Sequence, residues 1–98
     1  MAKYRLTPAA KKDLLDVWNY TLKVWGSKKA KQDLFDIEEK LELLAANPEL
    51  GRTRPDINRN YFSFPANDHT IYYLKAEKQI QIIAILHKRM DVEKRFQA

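Results

Sequence analysis

The stretch IQIIAILHKRMD, from Ile80 to Asp91, contains the longest strand-like run of the chain and decides its fold. Its aliphatic and β-branched residues are typical of a β-strand. Both faces of that strand would be apolar, because Ile80, Ile82, Ala84 and Leu86 point one way and Ile83 and Ile85 point the other. We therefore expect a central strand that is covered on both sides.

Two shorter strand-like segments precede this run, and each of them is followed by a turn. Residues 61–64 alternate between polar and apolar side chains, and residues 69–75 are rich in β-formers. The segments 65–68 and 76–78 have the composition of turns. Residues 3–6 also alternate and predict a short first strand. The spacing indicates antiparallel strands joined by hairpins.

Two helices are predicted between the first strand and the others. Thr7-Pro8 supplies a capping hydroxyl and a proline at the first helical position, so a helix is expected over residues 9–25. Gly26-Ser27 ends that helix and caps the next, which implies a tight helical hairpin. The second helix is expected over residues 28–46, because Asn47-Pro48 stops it.

The order strand, helix, helix and three strands predicts an α+β fold. We expect one domain over residues 1–98, a two-layer sandwich with the helical hairpin on one face of an antiparallel sheet. Residues 47–60 would form a long loop, and a short helical tail is possible over residues 90–96. Two helices cover only one face of a sheet. The other face is therefore covered either by the loop and the tail or by a partner chain.

Composition excludes several classes of function. The chain of 98 residues has no cysteine, which excludes disulfide scaffolds and thiol catalysis. It has no apolar run long enough to span a membrane and no signal-peptide core, so a cytoplasmic protein is expected. The net charge of +5 favours an acidic partner, either nucleic acid or protein, although a merely soluble basic surface has the same composition.

Five segments in this order resemble the ParE toxins of bacterial type II toxin–antitoxin systems, within the wider RelE/ParE group. The segments are LTPAAKKDLLDVWNYT at 6–21, WG at 25–26, LLAANPELGRTRPDI at 43–57, YFSFPANDHTIYYL at 61–74 and IIAILHKRMD at 82–91. The most specific parts are Asn47-Pro48-x-x-Gly51 and Leu86-His87-x-x-Met90-Asp91. The resemblance covers nearly the whole chain.

The resemblance implies a toxin without enzymatic activity that serves plasmid or chromosomal stability. Such toxins bind DNA gyrase, here expected through the A subunit with DNA, and trap it on cleaved DNA. A small ParD-like antitoxin, acidic and partly disordered, neutralises them and would cover spare apolar surface. The alternative is a ribosome-dependent mRNA endonuclease of the RelE kind.

The cluster His87-Lys88-Arg89 after the last strand is a candidate catalytic site. His87 could titrate near neutral pH, and Lys88 and Arg89 could hold phosphate. The nuclease relatives, however, use a C-terminal tyrosine or a histidine–tyrosine pair, and this chain has Phe96 near that place. We therefore predict no catalytic residue. Two histidines without cysteine also give no ligand set, so neither a metal nor a cofactor is expected.

Binding residues are predicted from surplus apolar surface and from basic clusters. The side chains expected to contact the antitoxin are Leu15, Trp18, Leu22, Tyr72, Leu74, Ile83 and Ile85. Those expected to contact gyrase or its DNA are Arg54, Arg59, Lys88 and Arg89. Asp13 and Asp16 are interpreted as solvated charges on the outer face of the first helix.

Overall fold

Five strands and two long helices account for most of residues 4–96, the part of the chain that the computed structural model describes. The elements in chain order are β1 (Tyr4–Leu6), α1 (Pro8–Trp25), α2 (Ser27–Ala46), a single 3-10 turn (Pro48–Leu50), β2 (Arg52–Thr53), β3 (Tyr61–Ala66), β4 (His69–Lys75), β5 (Ile80–His87) and α3 (Val92–Phe96). The predicted order of elements and the α+β class are confirmed. Lys3, the first residue of the predicted first strand, lies outside the described residues.

The helical hairpin forms where its capping residues predict it. The Thr7 Oγ1 accepts a hydrogen bond from the Ala10 N–H at 3.1 Å, and Pro8 is the first residue of α1. Gly26 ends α1 with a φ of 93°, a left-handed conformation that costs glycine little. Ser27 is already the first residue of α2, so one glycine serves as the boundary of both helices.

The sheet has the order β1-β5-β4-β3-β2 and is mixed in direction. The hairpin strands β3, β4 and β5 are antiparallel, as predicted, but β1 pairs with β5 in parallel, with Tyr4 opposite Ile80. The expectation of an entirely antiparallel sheet is wrong at this edge. The composition of a turn indicates the relative direction of the two strands that it joins, whereas β1 and β5 are far apart in the sequence and no turn joins them.

Two local features of the strands also differ from the prediction. The predicted turn over residues 65–68 is shorter, because β3 continues to Ala66 and the chain reverses at Asn67. Asn67 has a φ of 58°, which asparagine tolerates better than most residues. The two-residue strand β2 lies inside the segment that was expected to be loop, and it pairs with β3.

A β-bulge in β5 changes which side chains face the helices. Tyr72 lies opposite Ala84 but Tyr73 lies opposite Ile82, so Ile83 is an extra residue in β5. The predicted alternation is therefore wrong beyond this point. The buried cluster beneath α1 and α2 contains Ile80, Ile82 and Ile85 from β5, and the cluster on the other face contains Ala84 and Leu86.

The face of the sheet opposite α1 and α2 is covered in part by the chain itself. Tyr72, Ala84 and Leu86 form a small cluster there, and partly buried side chains pack against it. Those side chains are Ile57 from the long loop and Val92 and Phe96 from α3. Of the two alternatives predicted for this face, cover by the loop and the tail is the one observed at its centre. No helix within residues 4–96 is long and apolar enough to cross a membrane.

Candidate functional site

A cleft of about 730 Å³ opens between the helical hairpin and the ends of β4 and β5. One wall is the flank of α1, another is the start of α2, and the floor is made by the strand ends and the residues after β5. The lining residues are Asp13, Asp16, Val17, Tyr20, Thr21, Trp25, Lys29, Asp33, Asp68, His69, Ile85, His87, Arg89 and Met90.

Three large apolar side chains of the lining are open to solvent. Trp25 is 67% exposed, Tyr20 is 63% exposed and Met90 is 53% exposed. Exposed aromatic side chains around a concave surface are typical of protein interfaces, where they act as anchors. These three residues are not among the predicted binding residues. The sequence does carry one signal for this flank: Leu15, Trp18 and Leu22 widen the apolar arc of α1 beyond the single stripe that packing on the sheet requires.

The charges of the cleft are almost fully paired. Each aspartate of the lining has a cationic partner within 3.3 Å: the pairs are Asp13–Arg95, Asp16–Lys12, Asp33–Lys29 and Asp68–Lys88. None of the ion pairs within residues 4–96 includes Arg89. The guanidinium of Arg89 is therefore the charge that the cleft leaves uncompensated.

Two histidines meet on the floor of the cleft. His69 on β4 lies directly opposite His87 on β5, and their rings meet edge to face with centroids 5.3 Å apart. The backbone N–H of Arg89 donates to Nδ1 of His87 at 3.1 Å. Burial lowers the pKa of His69 below its ordinary value, and the neighbouring His87 lowers it further. His69 is therefore neutral near pH 7.

Asp13 is a structural residue of this site, and the prediction of a solvated carboxylate is wrong. It is only 8% exposed, and its Oδ2 accepts a hydrogen bond from the backbone N–H of Ile85 at 3.1 Å. Because β1 ends at Leu6, opposite Ile82, the later residues of β5 have no strand neighbour on this edge. The carboxylate of Asp13 satisfies a backbone donor that would otherwise be buried without an acceptor.

The structure does not bring the predicted antitoxin contacts into one surface. Ile85 is in the core beneath α1, and Tyr72 packs beneath α3 on the opposite face of the sheet. Of the seven, only Ile85 lines the cleft. The seven fall into three groups: Leu15 and Leu22 are exposed, Trp18, Leu74 and Ile83 are half-buried, and Tyr72 and Ile85 are buried. A direct contact with a partner stays a prediction for the first two groups.

The four predicted target contacts differ in their surroundings, and Arg54 is the exception among them. The side chain of Arg54 is only 15% exposed, donates to both oxygens of Asp56 at 3.1 and 2.9 Å, and lies over the ring of Tyr72 at 5.5 Å. Its hydrogen bond with Asp56 raises the pKa of Arg54. Arg54 therefore holds the loop and is no free cation, whereas Arg59, Lys88 and Arg89 are exposed.

The residues that a nuclease site would combine lie on opposite faces of the sheet. His87 lines the cleft beside α1, whereas Arg54 stacks on Tyr72 beneath α3. On that second face the ring of Phe96 contacts the rings of Tyr72 and Tyr61, with centroids 5.3 and 5.5 Å apart. Within residues 4–96, no three side chains of histidine, cysteine or acidic residues come together as a metal-binding group would require.

The motif Asn47-Pro48-x-x-Gly51 has a structural role. The hydroxyl of Tyr73 donates to the Pro48 carbonyl at 2.8 Å and accepts the N–H of Gly51 at 2.8 Å. A side chain at position 51 would collide with the Tyr73 ring and hydroxyl. The glycine is therefore required by the close approach of Tyr73, which ties the turn after α2 to the core strand β4.

Comparisons with known proteins identify relatives along nearly the whole chain. A family model described as the ParE toxin of the type II toxin–antitoxin system parDE matches residues 4–92. Toxin ParE1 of Mycobacterium tuberculosis is 35% identical over 94 residues, which cover 95% of this chain and 96% of the relative. Toxin ParE1 of Caulobacter vibrioides is 29% identical over 91 residues, with 93% and 94% covered.

Solved structures share the fold at lower identity. A chain of the chromosomal ParDE toxin–antitoxin system from P. aeruginosa superimposes with a TM-score of 0.76 at 22% identity, covering 89% of this chain and 96% of that one. The YoeB dimer from Staphylococcus aureus gives a TM-score of 0.62 at 20% identity, covering 88% and 95%. The observed arrangement of helices and strands is therefore the RelE/ParE-like fold.

Proposed function

This chain belongs to the ParE toxin family of type II toxin–antitoxin systems, and from that premise we propose that it inhibits DNA gyrase by binding. In this proposal the toxin holds gyrase, through its A subunit, on cleaved DNA and performs no covalent chemistry of its own. A ParD-like antitoxin neutralises it. The action takes place in the cytoplasm, where gyrase and DNA are.

The observation that carries the non-catalytic part of the proposal is the position of Phe96. Its ring packs on Tyr61 and Tyr72 and occupies the sheet face that bears Arg54. General acid–base catalysis requires the acid and the base to lie within hydrogen-bond distance of the reacting atoms of one bound substrate. His87 lies in the cleft on the other side of the sheet, so within residues 4–96 it is far from Arg54, and this separation supports a toxin that acts by binding.

Exposed cations support the choice of target. Arg59 in the long loop and Lys88 and Arg89 after β5 are exposed, and the chain carries a net charge of +5. A gyrase complex with cleaved DNA presents many phosphates, and protein cations that replace counterions there make binding favourable and dependent on salt. Arg54 contributes indirectly by fixing the loop that carries Arg59.

Expression of the chain in bacteria, with and without its antitoxin, tests the first part of the proposal. Growth should stop with the toxin alone and resume when the antitoxin is co-expressed. Purified toxin should then block supercoiling by gyrase and leave cell-free translation intact. If supercoiling continues while translation stops because mRNA is cut, the ribosome-dependent nuclease is the correct alternative.

A further inference from the structure

The outward side of α2 carries charged residues around one exposed phenylalanine. Phe35 lies in the middle of the helix and is 59% exposed. The buried residues Ala30, Ile37 and Leu41 lie on the other side of the helix. The exposed side chains that share the side of Phe35, at helical spacings, are Lys28, Lys31, Glu38, Glu39 and Glu42. We call these residues, together with Phe35, the α2 stripe.

The charges of the α2 stripe are segregated along the helix. Its lysines precede Phe35 and its glutamates follow it. This order opposes the helix dipole, which favours acidic side chains in the first turn and basic side chains in the last, and α2 has neither. Glu38 and Glu42 are also four positions apart, where like charges destabilise a helix. The order therefore costs the isolated helix free energy, and a contact outside the chain would compensate for it.

The α2 stripe is separate from the cleft and from the predicted target contacts. None of the ion pairs within residues 4–96 includes a lysine or a glutamate of the stripe. No residue of the stripe lines the cleft beside α1, and the exposed cations Arg59, Lys88 and Arg89 belong to other segments. The stripe is therefore a distinct surface, with an aromatic centre and opposite charges on its two sides.

We propose that the α2 stripe binds the same stripe of a second copy of this chain, with the two helices antiparallel about a twofold axis beside Phe35. In this arrangement, residues at equal distances before and after position 35 lie opposite each other. Lys28 of one copy meets Glu42 of the second copy, and Lys31 meets Glu39. The two Phe35 rings pack together at the centre. Because the same surface is used by both copies, each ion pair occurs twice.

The order of charges selects a second copy over other partners. A uniformly acidic protein segment or a nucleic acid would be attracted by the lysines but repelled by the glutamates. A second copy in antiparallel orientation matches both halves of the stripe. The net charge of +5 on each copy opposes association at long range, whereas the opposed charges act at contact distance, well within the Debye length. From Lys28 to Glu42 the stripe is about 21 Å long, so we expect a small interface and a reversible dimer.

Sedimentation of the purified full chain over a range of concentrations tests the inference without antitoxin or gyrase. The wild-type chain should dimerise reversibly, and Phe35→Ala should raise the dissociation constant of the dimer about tenfold or more, as expected for a central anchor. Leu15→Ala is the matched control, because Leu15 is 57% exposed and lies on α1, outside the stripe. It should change the constant less than about twofold. Thermal unfolding of each variant verifies that its fold is intact.

Charge reversal tests the antiparallel arrangement. Lys28→Glu/Lys31→Glu and Glu39→Lys/Glu42→Lys should each prevent self-association, because like charges then face each other across the axis. An equimolar mixture of the two double variants should form a heterodimer, since every opposed pair in it has opposite charges. A mixture of folded variants that does not associate overturns the antiparallel arrangement.

A second double variant controls for net charge. Lys11→Glu/Lys23→Glu changes the net charge as much as Lys28→Glu/Lys31→Glu does, but both of its positions are exposed on α1. It should not weaken the dimer, because fewer positive charges on each copy lower the long-range repulsion.

Two results overturn the α2 stripe as a contact between copies. One is a wild-type chain that stays monomeric at all concentrations, and the other is a dimer that Phe35→Ala and the charge reversals leave unchanged. A monomeric wild-type chain whose antitoxin binding is weakened by Phe35→Ala overturns the choice of occupant. None of these results depends on gyrase inhibition, whose failure would appear in the supercoiling assay alone.

Discussion

Asp13 on α1 and Arg95 on α3 form an ion pair through two hydrogen bonds of 2.8 Å, across 82 positions of the sequence. Helix α3 has only five residues, from Val92 to Phe96, and a helix of that length is not stable alone. Its place on the sheet therefore depends on this pair and on the contacts of Phe96 with Tyr61 and Tyr72. One carboxylate thus connects α1, β5 and α3.

Removal of the Asp13 carboxylate should destabilise the fold. Asp13→Ala leaves the Ile85 N–H and the Arg95 guanidinium without their acceptor, and we expect the free energy of unfolding to fall by about 2–3 kcal/mol. Urea denaturation of both proteins measures the difference. Asp16→Asn is the matched control, because its pair with Lys12 is exposed and should contribute less than about 0.5 kcal/mol. Equal losses in the two variants would contradict the structural role of Asp13.

Substitution of either Gly51 or Tyr73 should lower the free energy of unfolding. Tyr73→Phe removes the hydrogen bonds to Pro48 and Gly51 and should cost about 1–2 kcal/mol. Gly51→Ala places a methyl group against the Tyr73 ring and hydroxyl and should cost about 1–3 kcal/mol. Because the hydroxyl is one of the colliding groups, Gly51→Ala should cost less in the Tyr73→Phe background. Strict additivity in the double variant would show that the two residues do not interact.

His69 should make the stability of the free toxin depend on pH. Its pKa in the folded chain is lowered by burial and by His87, so below about pH 6.5 the unfolded chain binds more protons than the folded one. The free energy of unfolding should therefore decrease as the pH falls through that range. His69→Gln should remove part of the decrease, which chemical denaturation from about pH 7.5 to about pH 5.5 would measure. An identical pH profile for the variant would contradict the burial of a neutral His69.

Charge removal at the exposed cations should weaken the toxin more than removal of the histidine. Arg59→Gln combined with Lys88→Gln should reduce gyrase inhibition and make it less dependent on salt, because fewer phosphate contacts are formed. His87→Ala should leave toxicity in the absence of antitoxin largely intact, whereas loss of a general acid or base would cost about 10²–10⁴-fold. Growth arrest is measured at increasing toxin expression, and supercoiling is measured at increasing toxin and salt concentrations. The two assays compare the loss of cations with the loss of the histidine.

Local signals in the sequence predicted the helices and strands. Long-range packing determined the pairing of β1 with β5 and the faces on which the side chains of β5 lie. Thr7-Pro8 and Gly26 mark the ends of α1 because capping depends on neighbouring residues. The parallel pairing of β1 with β5 depends on contacts far apart in the chain and has no local signal. The bulge at Ile83 is likewise invisible in an apolar run, and it reverses the faces of the residues that follow.

The surroundings of the site residues likewise depend on long-range packing and have no local signal in the sequence. Exposure of a side chain is a property of the packed structure, so Tyr20 and Trp25 could not be separated from core aromatics by their spacing alone. Arg54 was predicted as a free cation, but its pairing with Asp56 depends on the shape of the loop. Asp13 carries no sequence signal of burial, because its acceptor role arises only where β1 ends beside β5.

The yield of cleaved DNA is the most direct test of the proposal that the toxin binds gyrase and holds it on cleaved DNA. Purified toxin is incubated with gyrase, ATP and supercoiled plasmid, and the DNA is then released by detergent and protease. We predict that linear DNA accumulates with increasing toxin, that His87→Ala gives the same yield, and that ribosome-bound mRNA stays intact in a parallel reaction. Unchanged plasmid together with cut mRNA, with cutting abolished by His87→Ala, would contradict inhibition of gyrase and identify a nuclease.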